Sequence, residues 1–402
     1  MSLRNLMRGP VTHAYGRGAS RAAWVRWHDM GWHTLLVGLM LVGVGLLFLY
    51  EMALADELQN RAGIRFGSHV KKLMVASPGL VLGLLARPSW LRRHAWALYA
   101  ASIALLVAVA LFGDERNNAR RWIETPVFDV QPSEFAKLAL ILVLARVLHR
   151  RRLARASEWL APGLCLALPM ALVTLQPDLG TAMTMVPVAL GMCYLAGARG
   201  TLLVSILLVG AGLGLGAWQG QIGVKDYQLE RIDTWYESIA APALIDGKQG
   251  PGFHAYHARL APGNGGLFGT GLGQGIANET GILPERESDS VFAVIAEESG
   301  FVGGVAVLLL FGLLVLLLMA GAAEVRDRFV RLVVGGVAIY FAAHVFVHVA
   351  VNLGLLPMTG LTLPLISTGG SSLLVSLLAL GLAVGLSANQ EPSLDSDAFR
   401  RY

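Results

Sequence analysis

The sequence is divided by long apolar runs, and the first of them, His33 to Leu54, holds a single acid, Glu51. A helix crosses the hydrocarbon of a bilayer with roughly 17–25 such residues. Applied along the chain, this criterion predicts ten spanning helices, near 33–54, 70–86, 95–112, 134–149, 159–175, 180–198, 200–219, 300–321, 329–352 and 370–388. The fold class that follows is an all-α polytopic membrane protein. Composition agrees: with 402 residues, 55% hydrophobic and 15% charged, the chain is too apolar for a soluble domain of this size. The first run lacks the short apolar core and small-residue cleavage site of a removable signal peptide, so it is expected to stay. Cys165 and Cys193 lie inside apolar runs and read as packing residues, not as a disulfide framework.

Orientation follows from the arginines. The N-terminal arm carries Arg4, Arg8, Arg17, Arg21 and Arg26 with no acid before Asp29, which places it in the cytoplasm. Every even-numbered loop should then be basic, and Arg87, Arg92 and Arg93, the run from Arg146 to Arg155, Arg199, and Arg326, Arg328 and Arg331 fall there. The acids Asp114, Glu115, Glu124, Asp129 and Asp178 fall in the other loops. Both termini are thus expected in the cytoplasm, with an arm (1–28), one transmembrane domain (29–388) and a polar tail (389–402). Because the basic residues cluster between apolar runs and not on one face, they point to membrane lipids and topology, with no nucleic acid partner. The seventh and eighth helices are joined by an extracytoplasmic loop, about 220–290, far longer than an ordinary connection. Within it YQLERIDTW (227–235) alternates charged and apolar residues at helical spacing, as expected of a segment on the membrane surface.

Several stretches carry chemistry. In ARRWIETPVFDVQPSEFAKLALIL (119–142), Pro132 and Ser133 start a helix and Glu134 stands in its first turn, with Lys137 three residues on and on the same face. Lys137 reads either as a snorkelling lysine paired with its own glutamate or as part of a site whose mouth carries Arg120, Arg121 and Trp122. Asp178, in LQPDLGTAM, is sufficiently explained as a turn and helix cap. The glycine-rich GNGGLFGTGLGQG (263–275) has no preceding strand to make it a phosphate cradle, and reads as flexible or closely packed backbone. His344, His348 and Asn352 share a helix face, with hydrogen bonding between helices favoured over a metal or proton-relay site. LGLLPMTGLTLPLISTGGSSLL (353–374) breaks an apolar segment with two prolines, and irregular backbone at membrane depth needs protein or a water-filled cavity around it.

The acids of LPERESDSVFAVIAEESG (283–300) divide. Glu285 and Glu287 read as solvated loop-end charge. Asp289 stands at the membrane edge, where burial raises a carboxylate's pKa and a cation lowers it, so it can be tuned toward general-base duty. Glu297 and Glu298, about two helical turns on, are expected to line or brace the same cavity.

RRWI, QPSEFAKL, LQPDLGTAM, GGLFGTGLG, LPE-x-x-x-D-x-x-FAVIAEE-x-GF and GLLPMTGLTLPLISTGGSSLL, in that order, resemble the SEDS family (shape, elongation, division and sporulation), which has RodA and FtsW branches. The resemblance implies a ten-helix peptidoglycan glycosyltransferase that polymerises lipid II into glycan strands outside the cytoplasmic (inner) membrane. It implies a single-pass class B penicillin-binding protein, a transpeptidase, as partner. On the matching motifs, Asp289 is the catalytic aspartate, and Arg120, Arg121, Trp122, Glu134, Lys137, Ser367, Gly369 and Gly370 are substrate-binding. GLTLPLIS and the long arm lean toward the division branch. Departures are Glu287 and Ser288 where many members have His-Thr, Thr368 for a tyrosine, His257 and Ala258 for Gln-Ser, and His348 for an asparagine. No metal ligands and no cofactor are evident, although magnesium or manganese could supplement the arginines. Two rival classes stay open. A flippase for lipid-linked sugars would also use intramembrane charge and broken helices, and a noncatalytic scaffold for cell-wall enzymes would need neither.

Overall fold

The computed structural model describes residues 30–61, 66–116, 119–125, 129–151, 153–220, 226–240 and 251–389. The expected arm (1–28) and all but the first residue of the expected tail lie outside them. The elements are α1 (Trp32–Leu58), α2 (Phe66–Leu84), α3 (Pro88–Phe112), a hairpin of β1 (Asp114–Arg116) and β2 (Ala119–Trp122), α4 (Pro132–Leu148), α5 (Leu160–Leu175), α6 (Leu179–Leu195), α7 (Gly200–Gly220), α8 (Asp226–Ala240), α9 (Pro251–Asn264), α10 (Ile276–Thr280), α11 (Val291–Glu324), α12 (Arg328–Asn352) and α13 (Gly370–Ala388). Each of the ten apolar stretches is helical. Among the described helices, α1, α3, α5 with its preceding 3-10 turn, α11, α12 and α13 are long and apolar enough to cross a membrane.

Local chemistry sets the helix ends. Pro88 and Pro132 occupy first turns, where the missing N–H costs nothing. Asp178 and Asp327 cap α6 and α12, their carboxylates accepting from Thr181 N–H (3.2 Å) and Phe329 N–H (2.8 Å).

Burial sorts the helices into a centre and a rim. α4, α12 and α13 are buried on nearly every face and carry apolar side chains on all of them, with Glu134, Lys137, His344, His348 and Asn352 as buried polar exceptions. Leu36, Leu39 and Met40 of α1, Leu207 and Leu208 of α7, and Leu309 and Leu316 of α11 are exposed and face where lipid would lie. α2 and α13 approach backbone to backbone. A Cβ at Gly83 would come within 2.5 Å of Leu378 O, and one at Gly385 within 2.5 Å of Leu84 O. Such close contact is how helices adhere where lipid tails are as apolar as leucine.

The long outer loop contains α8, α9 and α10, and α8 spans the stretch read at helical spacing, 227–235. One departure from the sequence-based expectation bears on the site. The eighth apolar helix begins at Val291, not near 300, and is broken at Gly300 (φ 69°, ψ −170°). The stretch before that break carries Glu297 and Glu298, both buried, and the glycine-rich loop packs on it. Thr270 N–H and Gly271 N–H donate to Glu297 O (3.0 Å) and Glu298 O (3.1 Å), and Phe301 N–H and Val302 N–H donate to Gly266 O and Leu267 O. Of the two readings of GNGGLFGTGLGQG, closely packed backbone is the one observed.

A Cβ at Gly300 would collide with Gly269 N and take a left-handed conformation that side chains rarely adopt. Gly300→Ala is therefore expected to destabilise the protein by about 2 kcal/mol or more. A lower thermal unfolding midpoint in detergent checks this, and an unchanged midpoint would show that the break is not needed.

Candidate active site

Asp289 sits on the turn that leads into α11, and three successive carbonyls of that turn are held by the broken segment and the end of α12. Glu287 O accepts from Thr368 N–H (3.1 Å), Ser288 O from the Ser367 hydroxyl (2.7 Å), and Asp289 O from Asn352 Nδ2 (3.1 Å). Ser367 also accepts from Leu363 N–H (2.8 Å), so its hydroxyl ties the broken segment to itself and to the turn at once. On the fourth side Gly360, with φ at 67°, brings backbone so close that a Cβ there would lie 3.2 Å from Asp289 Oδ2. The carboxylate is positioned by backbone captured from elsewhere in the fold.

Electrostatically Asp289 is an acid with little compensation. Among the described residues no salt bridge holds it. Burial pushes its carboxyl up to about 7; the Glu285 carboxylate adds to the rise, and the Ser288 hydroxyl and the more distant Arg231 guanidinium act against it. Arg231, on α8, donates to Met358 O (3.3 Å), and Trp235 Nε1 donates to Gly354 O (2.8 Å), so α8 is fastened over the broken segment. Beside the turn, Ser290 Oγ lies 2.8 Å from His254 Nε2 of α9, and burial lowers that imidazole to about 4, leaving it neutral.

Glu287 corrects an expectation. Only Glu285 is exposed; Glu287 is half-buried and its carboxyl is raised, chiefly by burial. The turn is closed over because Arg286, the lone cation in the acidic knot, is buried. It pairs with Asp56 of α1 and donates to Ala277 O (3.2 Å) and Asn278 O (3.3 Å). Asn278 in turn donates to Glu298, while Glu297 accepts from Asn264 Nδ2 (3.1 Å) and Ala277 N–H (3.0 Å). Glu297 and Glu298 therefore brace the loop that supports the turn.

Lys137 is not a snorkelling residue. Its ammonium is 1% exposed, 2.6 Å from Glu134 Oε1 and 2.6 Å from His344 Nε2, and lies over the Tyr340 ring. Because an ammonium has only donors, His344 Nε2 accepts, and the proton sits on Nδ1, which donates to Tyr340 O (2.9 Å). One turn on, His348 Nδ1 donates to Leu361 O (2.7 Å), and Asn352 Nδ2 donates to His348 O (2.8 Å) as well as to Asp289 O. Of this histidine–asparagine face only His344 makes the interhelical bond expected of it; His348 and Asn352 instead bond the broken segment and the aspartate turn, so the face runs from the Glu134–Lys137 pair to that turn. Among the described residues no group of three or more His, Cys, Asp or Glu is placed to hold a metal ion.

The other expected site residues are dispersed. Gly369 caps α13 and Gly370 is its first residue. Arg120, Arg121 and Trp122 lie on β2, Arg120 exposed and the other two half-buried; past the hairpin, the Ser371 hydroxyl donates to Asp129 O (2.6 Å) and accepts from Gln131 N–H (2.9 Å), holding the segment that leads into α4. Asp178 caps α6 and also accepts from Gln131 Nε2 (2.9 Å) and Ser133 Oγ (3.0 Å), so it fixes the start of α4. β2 packs against α3 and α4. Asn352 was read in the sequence only as part of a polar helix face and Arg231 only as part of a surface segment, while Asp56 and His254 belong to no motif.

Removing one member of a buried ion pair strands the other. Lys137→Met should cost about 3–5 kcal/mol, with much of that recovered in Glu134→Gln/Lys137→Met; unfolding midpoints of the three proteins test it. Asp289 is raised, so its protonated form is stabilised by folding, and stability falls as pH climbs from the usual carboxylate range through about 7. Asp289→Asn should accordingly stabilise the protein at pH 8, by about 1–2 kcal/mol after allowing for residual exposure, and have little effect near pH 3, below the usual carboxylate range.

Comparison with known proteins gives a consistent answer. Residues 32–391 match the model of the FtsW/RodA/SpoVE family, described as cell cycle proteins. The probable peptidoglycan glycosyltransferase FtsW of Thiomicrospira cyclica is 35% identical over 363 residues, 87% of this chain and 89% of that one. The peptidoglycan glycosyltransferase MrdB of Escherichia coli K12 is 35% identical over 303 residues, 74% of this chain and 79% of that one. Among solved structures, a chain from a peptidoglycan synthase complex that coordinates polymerization and crosslinking is 30% identical, with a TM-score of 0.74, over 90% of this chain and 98% of that one. With the broken segment, the aspartate turn and the helical body all accounted for within the matched residues, the chain belongs to the FtsW/RodA/SpoVE family of cell cycle proteins.

Proposed function

We propose that this chain is a peptidoglycan glycosyltransferase that joins lipid II units into glycan strands on the outer side of the cytoplasmic membrane, with Asp289 as the general base. The observation that carries the reading is the carboxylate itself: backbone-clamped, not salt-bridged and raised to about 7, it is matched to accept a proton near neutral pH. Relatives named for this activity support it.

In this reading the acceptor sugar hydroxyl gives its proton to Asp289 as its oxygen attacks the anomeric carbon of the donor. The bond to the lipid diphosphate breaks, and the electron pair leaves with the diphosphate. One base and one leaving group suit direct displacement with inversion. Arg120 and Arg121 neutralise the departing diphosphate, with Arg231 the cation nearest in effect to the base. Trp122 stacks at the mouth. Lys137 spends its charge on Glu134 and His344, so both act by holding α4 and α12 in register, and Ser367, Gly369 and Gly370 shape the floor beneath the base. The arginine bias places the arm (1–28) and tail (389–402) in the cytoplasm, with 29–388 as one domain. The related synthase complex couples polymerization to crosslinking, which supports a class B penicillin-binding protein as partner. A divalent cation, if used, would sit on the diphosphate.

Purified protein supplied with lipid II, alone and with a transpeptidase partner, should give glycan without a membrane gradient, and Asp289→Asn should lose at least about a hundredfold of that rate. A base must be ionised, so the rate should rise with pH through about 7 and flatten above it. Full activity of a folded Asp289→Asn would refute the assignment, and transbilayer movement of lipid II without polymer would favour a flippase.

A further inference from the structure

The body has a cavity of about 640 Å³ at the end opposite Asp289. α12 spans the two: Asn352 at one end holds the aspartate turn, and Arg328 at the other donates to Arg151 O (2.7 Å) and Ala196 O (2.7 Å), beside the cavity. At 1.5 Å per residue, 25 residues separate them by roughly 37 Å. This cavity is therefore remote from the candidate active site.

Its walls have two characters. Arg155 and Arg199 are exposed and line it, and no acidic side chain is among the described residues that do. The nearby Glu158 carboxylate is turned to the backbone, where it accepts from Ala154 N–H (2.8 Å). Trp159 stands between the arginines and the apolar wall, its indole N–H bonded to Leu153 O (3.3 Å), in the place interfacial tryptophans take at headgroup depth. Beyond it, Leu202 and Ile206 of α7 line the cavity, and exposed Val209 continues the stripe at helical spacing. A cationic pocket thus opens onto an apolar track that runs away from it along one helix.

We propose that this cavity is a binding site for an anionic phospholipid, its phosphodiester seated between Arg155 and Arg199 and its acyl chains lying on the α7 stripe. Two guanidiniums suit a phosphate, which they can engage through paired N–H donors. The volume is within the range of small-molecule sites. A free phosphate would satisfy the arginines and leave the stripe unused; a zwitterionic lipid would cover the stripe and bring its own cation against the arginines.

The test is a titration of the full chain in detergent with phosphatidylglycerol, phosphatidylcholine or inorganic phosphate, read as bound lipid by native mass spectrometry and as a shift in unfolding temperature. Phosphatidylglycerol should bind saturably and raise the midpoint, and the other two should not. Arg155→Gln/Arg199→Gln should weaken phosphatidylglycerol binding about tenfold or more, Arg155→Lys/Arg199→Lys, which keeps the charge but not the paired donors, should weaken it less, and Arg150→Gln, on the same basic end but outside the cavity, should leave it unchanged. Equal binding of phosphatidylcholine, an equal shift from phosphate alone, or undiminished binding by the glutamine variant would each overturn the proposal.

Discussion

Backbone groups that leave a helix inside an apolar body must find partners in protein, and the arrangement around Asp289 follows from that constraint. Residues 353–369 break the helical pattern between α12 and α13, and so present carbonyls and amides with no intrahelical partner. Leu361 O takes the His348 imidazole, Leu363 N–H takes the Ser367 hydroxyl, and Thr368 N–H finds Glu287 O. The same bonds that make the break tolerable seize the turn before α11. Positioning of the aspartate and satisfaction of the broken backbone are one event.

Charge is distributed by the same economy. The Glu134–Lys137 and Asp56–Arg286 pairs are buried, and each has further partners: His344 for Lys137, Arg61 for Asp56 and backbone carbonyls for Arg286. Buried pairs of this kind add little net stability but are costly to break, so they fix the register of the helices that carry them. Here α4 is registered against α12, and α1 against the turn of Asp289. That turn holds Asp289 and Glu287 outside any ion pair among the described residues, and burial raises both carboxyls. Glu297 and Glu298 have a different use: each carboxylate accepts from a side-chain amide, of Asn264 and of Asn278, and both hold loops.

Much of the architecture was legible in the residues. Apolar runs of bilayer length became helices at every place expected, because hydrocarbon admits little else, and the caps at Asp178 and the proline starts at Pro132 obeyed local rules. Asp289 was legible as the acid at the edge of an apolar run. The helical start at Val291 was not, because Glu297 and Glu298 interrupt the run and only the glycine-rich loop folded over them makes their burial tolerable. Lys137 was ambiguous for a related reason: a lysine one turn inside an apolar helix can reach for water or for a partner, and His344, 207 residues away, decides which.

The sequence by itself determined the class of fold, the helical segments, the basic and acidic sides and the acid around which the chemistry is proposed. These rest on period, length and local capping, which act over a few neighbouring residues. Only the tertiary structure decided that Glu287 is drawn inward, that three consecutive carbonyls anchor Asp289, that Arg231 from α8 approaches it, and that Arg155 and Arg199 share a cavity. Each depends on residues far apart in the chain meeting at bond distance, and hydrogen bonds and burial at that range leave no periodic trace in the sequence.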